Sequence, residues 1–223
     1  MRQTIFVCAA SVGAALFFAS PSHSAGAAAR PILIGVDFPR TGRDAGEGLL
    51  LREAVLLAAD DLRAHGLSVR LIDAPGARPV RNPHQDEGSD NGADVDAGPR
   101  DVAWLARRGV RVLVGPLRAN VALGETSALR ARRMIAIAPA LAVPRTPATV
   151  VFSLAGLPVP RTPEVRRVAD AYHKRAFTIA GDDALRTYAA VEIAAYVAAA
   201  PREPAAVLRS RRFKTLIGTV GFY

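Results

Sequence analysis

The chain has 223 residues, half of them hydrophobic, enough for a sizeable core in one domain or in one domain with a small appendage. Its formal charge is +9, carried almost wholly by arginine, since Lys174 and Lys214 are the only lysines; the arginines are scattered through helical patterns with no basic run between aromatics, so nucleic acid is not an expected partner. The single cysteine, Cys8, sits in an N-terminal apolar run, so past that run disulfides, thiolate zinc sites and cysteine nucleophiles are excluded.

Residues 1–25 read as an export signal. Arg2 is the positive region, Ile5 to Ala19 the apolar region, and Pro21 with the small residues after it offers a cleavage point. The apolar run is shorter than the roughly 20 residues of a membrane span, which favours a cleaved signal over an uncleaved anchor. The expected location is the periplasm.

Ile32 to Val36 reads as a buried strand. Gly48 to Ala64 is a helix pattern, with Leu50, Ala54, Leu57, Ala58 and Asp61 at helical spacing, ended by His65-Gly66. Leu67 to Asp73 alternates like a second strand. Residues 74–99 form a polar insert rich in Pro, Gly, Asp and Asn, expected to be disordered or functional. Its acids lack the order of a calcium-binding loop. Arg100 to Gly109 is a helix, Val110 to Pro116 a strand, Ala122 to Arg133 a helix, Met134 to Ala140 a strand and Thr149 to Leu154 a fifth strand.

A proline-rich link follows. Pro163 to Phe177, Asp182 to Ala199 and Pro201 to Phe213 read as helices, and the last ten residues as a closing strand or hairpin. Repeated strand–helix–strand units imply an α/β fold, a parallel sheet with helices on both faces. Ligands of such sheets bind beyond the carboxyl ends of the strands, at 37–48, 116–120 and 139–144.

The loop after the first strand is glycine-rich but is not a nucleotide loop. A phosphate loop needs a lysine and a hydroxyl after its last glycine, and Gly42, Gly46 and Gly48 have the wrong spacing for a dinucleotide loop. No histidine pairs with a second ligand at metal spacing, and no nucleophile elbow is present, so no enzyme activity and no cofactor are expected.

Four stretches resemble the periplasmic solute-binding proteins of branched-chain amino-acid ABC transporters. They are Ile34 to Leu62, Val102 to Leu123, Arg133 to Ala142, and Glu164 to Ala200 with Phe213 to Tyr223. The resemblance implies one lobe of a type I periplasmic binding protein. Residues 31–155 would form the first-lobe domain, and 156–223 would supply C-terminal helices and a closing strand packing on that lobe, with most of the second lobe absent.

It also implies a small organic solute as ligand, held by backbone amides at Arg118, Ala119 and Asn120 and at Ala140 and Ala142, with Thr41 and Gly42 at the mouth. Ala119 and Ala142 stand where the family places hydroxyls, which implies weakened binding. The implied partner is an ABC permease or a receptor in the inner membrane. The alternative is a single-lobe interaction module or remnant that binds no solute, with a homodimer formed through an apolar face near Val150 to Pro160 that the absent lobe would leave uncovered.

Overall fold

A computed structural model of the chain describes residues 30–76, 97–143 and 149–222. The expected signal, most of the polar insert and residues 144–148 lie outside them. The centre is a five-stranded parallel sheet of β1 (Ile32–Val36), β2 (Val69–Asp73), β3 (Val112–Val114), β4 (Ile135–Ala138) and β5 (Val151–Ser153), in the order β2-β1-β3-β4-β5. The register pairs Ile34 with Leu71 and Val112, Val112 with Ile135, and Ala136 with Val151.

Helices cover both faces, which is why the central strands are apolar at every position. Alternate residues point to opposite sides. Ile34, Val36, Val112, Val114, Ile135 and Ile137 meet α1 (Ala45–Ala64) and α5 (Asp182–Ala199). Leu113, Ala136 and Ala138 meet α2 (Ala97–Ala106) and α3 (Ala119–Ala131). Helix α4 (Pro163–Ala176) lies against α1, where Tyr172 donates its hydroxyl to the Leu50 carbonyl at 3.0 Å and Arg175 bridges Glu53 and Asp60. Thr162 caps α4, with Pro163 in its first turn. No helix among the described residues is long and apolar enough to cross a membrane.

Several boundaries move. Helix α1 starts at Ala45, before the expected Gly48, and its buried stripe runs through Leu51, Ala54, Val55, Ala58 and Ala59. Leu50, placed inside by the spacing, is 40% exposed. Consecutive leucines at 49–51 let the stripe be misplaced by one position. Helix α2 begins at Ala97, so residues 97–99 are helical and do not belong to a disordered insert; Pro99 is tolerated in the first turn. Helix α6 is only Pro204–Arg209, because Glu203 caps it by accepting from the N–H groups of Ala205 and Ala206, and Arg212 and Phe213 already belong to a strand.

The last residues form an antiparallel hairpin, β6 (Arg212–Thr215) with β7 (Gly218–Gly221). The apolar face expected to be uncovered near Val150 to Pro160 is covered at Val151, Phe152 and Leu154, while Leu157, Val159 and Pro160 are half-buried. Phe222 packs edge-on against Phe152 with ring centroids 5.5 Å apart, Arg209 lies over the same ring, and Leu154 is fully buried.

Candidate functional site

The strand order reverses direction between β1 and β3. In open parallel sheets that switch opens a crevice beyond the carboxyl ends of the two strands. Here it lies between the loop Asp37 to Asp44 and the turn Gly115 to Arg118. Both are laid onto neighbouring strands: Asp37 N–H donates to Val114 at 3.0 Å, and Gly115 N–H donates to Ile137 at 3.0 Å. Two glycines permit the close approach. A Cβ on Gly48 would collide with the Pro39 carbonyl, and one on Gly115, whose φ is +125°, would collide with the Asp37 carbonyl.

Asp44 is the N-cap of α1 and Arg118 the N-cap of α3, yet neither side chain caps its own helix. They hold each other across the crevice. Arg118 Nε donates to Asp44 Oδ2 at 2.6 Å, and Nη2 donates to Oδ1. Glu47 stands 3.7 Å from the same guanidinium. The hydrogen bond from Arg118 holds the Asp44 carboxyl below its usual range against the opposing effect of burial. Arg118 makes no side-chain cap on α3, and among the described residues the N–H groups of Ala119, Asn120 and Val121 make no hydrogen bond, which leaves them for solvent or an anion.

Behind the crevice three carboxyl groups converge from three elements. Asp37 follows β1, Asp101 is on α2 and Glu125 on α3; they are 6%, 3% and 0% exposed. Asp101 accepts from the Gly76 N–H at 3.1 Å. Among the described residues, one Asp37 oxygen and both Glu125 oxygens are buried without a hydrogen-bond partner. Burial, and then the neighbouring Asp37, pushes the Glu125 carboxyl well above its normal range. No group of His, Cys, Asp or Glu among the described residues is placed to hold a metal ion.

The structure places Thr41 and Gly42 exposed on the loop before α1, and Gly42 has φ +77°. Arg118, Ala119 and Asn120 are exposed beside them. Ala119 and Asn120 form the first turn of α3, where the sequence reading expected loop and began the helix at Ala122. Ala140 and Ala142 follow β4, Ala140 partly buried and Ala142 exposed. Sequence reasoning missed Asp37, Asp44, Asp101 and Glu125. Glu125 carried a signal: it lies in the stripe Val121, Ala122, Ala128, Leu129 on the buried side of α3.

No protein-family model matches the sequence, and no curated protein matches it. Solved structures do. The branched-chain amino-acid transporter substrate-binding protein LivJ from Streptococcus pneumoniae, in complex with isoleucine, is 10% identical with a TM-score of 0.64, over 87% of this chain and 92% of that one. The chain has the fold of one lobe of a type I periplasmic binding protein. An ABC transporter substrate-binding protein from Desulfitobacterium hafniense, in complex with Leu, shares this periplasmic binding-protein fold at 12% identity and a TM-score of 0.61, over 86% and 93% of the two chains. An ABC transporter structure from Rhodopseudomonas palustris aligns at 9% identity and a TM-score of 0.62, over 86% and 92%. At these identities the likeness establishes the periplasmic binding-protein fold. The structural neighbours are binding proteins, not enzymes.

Proposed function

We propose that the chain is the substrate-binding component of an ABC transporter for amino acids or similar small organic solutes, exported to the periplasm through a cleaved signal at residues 1–25. The observation that carries this reading is the uncapped start of α3 at the β1/β3 switch point. Its N–H groups at Ala119 and Asn120 are suited to a carboxylate. Thr41 and Gly42 line the mouth, and Ala140 and Ala142 line the β4 side. Two of the similar structures hold isoleucine and leucine, which share that carboxylate. The partner is a permease or a receptor in the inner membrane, and no cofactor takes part.

One observation favours a second reading, an interaction module that binds no solute. The nearest cation, Arg118, is already neutralised by Asp44, and Ala119 and Ala142 offer no hydroxyl. A solute held by one lobe is covered on one side only, so its affinity is low.

Thermal melts of the chain lacking residues 1–25, with a panel of amino acids, amides and small carboxylates at millimolar concentration, separate the two. A native-state ligand raises the melting temperature by mass action. A rise with one compound, abolished by Asn120→Pro, supports the transporter component. A cooperative melt that no compound moves supports the interaction module.

A further inference from the structure

We propose that the free edge of β2 is a docking site for an extended acidic peptide segment, which adds to the sheet as a further strand beside Trp104. Strand β2 is the outermost strand of the sheet. Ile32 N–H donates to Ser68 and Ala74 N–H donates to Val36, so the even-numbered residues of β2 turn their backbone groups to β1. Val69, Leu71 and Asp73 turn theirs outward. Val69 is satisfied by Leu67 and by the Arg63 guanidinium. The outward N–H and C=O groups of Leu71 and Asp73 have no partner among the described residues, which is the template that strand addition uses.

A groove of about 460 Å³ runs along this edge. Leu33 and Ile72, on one face of the sheet, give it an apolar floor, and Trp104 and Arg108 of the α2 side form its wall. The charge of Asp73 is spent on Arg52, which grips both its oxygens at 2.8 and 2.6 Å. Arg70 points to the same face as Ile72 and makes no ion pair among the described residues. The Arg108 guanidinium lies 3.4 Å from the Trp104 ring centroid. The groove is therefore positive beside two open backbone pairs. A second copy of this chain does not fit, because pairing two β2 edges would gather Arg70 and Arg108 of both copies in one place. A strand with carboxylates at alternate positions does fit, since its acidic face meets both arginines. This inference is independent of the solute reading.

Trp104 is the only tryptophan, so intrinsic fluorescence reports this groove directly. The probe is an acetylated octapeptide of alternating Val and Glu, titrated into the full chain, with a Val–Lys peptide for comparison. The expected result is a saturable change in emission with Val–Glu and at least tenfold weaker binding of Val–Lys. Arg70→Glu, an exposed change checked by its melting curve, should remove that preference. A Val–Glu peptide N-methylated at alternate residues should lose binding at least tenfold. No saturable change, equal binding of the two peptides, or full binding of the N-methylated peptide overturns the proposal. So does an emission shift without any peptide when Asp86, Glu87, Asp90, Asp94 and Asp96 are changed to amides, which would give the groove to the chain's own acidic stretch.

Discussion

Arg118 and Asp44 join the start of α3 to the start of α1 across the crevice, although the two helices lie on opposite faces of the sheet. The pair ties the two layers together at the point where a solute would enter. Under the proposed solute reading, a carboxylate would rely on the backbone of α3 or displace Asp44 from Arg118.

Arg118→Ala should remove two charge-assisted hydrogen bonds from the Asp44 side chain, which is only 10% exposed. The expected cost is about 1–3 kcal/mol, the usual worth of hydrogen bonds to a charged group. The pH dependence follows from the lowered carboxyl. Its stabilisation is present above the unfolded value and is lost as pH falls through the folded one. Melting curves between pH 2 and pH 7 should show a smaller acid-side loss in the variant than in the parent.

Glu192 on α5 should give the opposite slope. Burial pushes its carboxyl up to about 7, against the Leu216 N–H that donates to Oε2 at 2.8 Å, with Asp61 adding to the rise. The folded chain keeps this proton where the unfolded chain has released it, so stability falls as pH rises from about 4.5 to about 7. The loss is at most about 3 kcal/mol. Glu192→Gln keeps an acceptor for Leu216 and should be more stable than the parent at pH 8, with a flatter profile. Glu125 contributes a slope of the same sign, so the flattening is partial.

Gly98 and Glu125 should behave as a coupled pair. A Cβ on Gly98 would lie 2.7 Å from the Glu125 Cγ and 3.3 Å from a Val121 methyl. Gly98→Ala should cost about 1–3 kcal/mol through overpacking. Glu125→Ala opens that space. A double-mutant cycle read by denaturant unfolding should show the Gly98→Ala cost shrink in the Glu125→Ala background.

What could be read from the sequence was whatever depends on neighbours along the chain. Ile32–Val36 and Asp182–Ala199 have the limits that their apolar patterns indicate, and the sheet class follows from the alternation of elements. Leu50 and Leu51 could not be ranked locally, because the choice between them depends on how α4 and α5 pack on α1. The pairing of Arg118 with Asp44 and the meeting of Asp37, Asp101 and Glu125 join separate segments, and no local periodicity encodes them. The early start of α3 at Ala119 was hidden because Arg118 is a poor cap by residue type and serves Asp44 instead.

Phe177→Gly should stabilise the chain. Phe177 ends α4 with φ +54° and the residue is 89% exposed, so it carries left-handed strain with almost no burial in return. The expected gain is about 1 kcal/mol, read as a rise in melting temperature. A fall would mean that the phenyl ring makes a contact that stabilises the chain.

Helix α5 lies across β1, β3 and β4, strands that belong to the first two-thirds of the chain. Until residues 182–199 have been synthesised, that side of the sheet has only α1 for cover, and the part of Val112 and Ile135 that α5 buries faces water. Closure of the core is thus a late event that joins distant parts of the chain, which slows folding. A nascent chain of this design keeps part of its apolar sheet exposed through most of its synthesis, a state that holdase chaperones recognise.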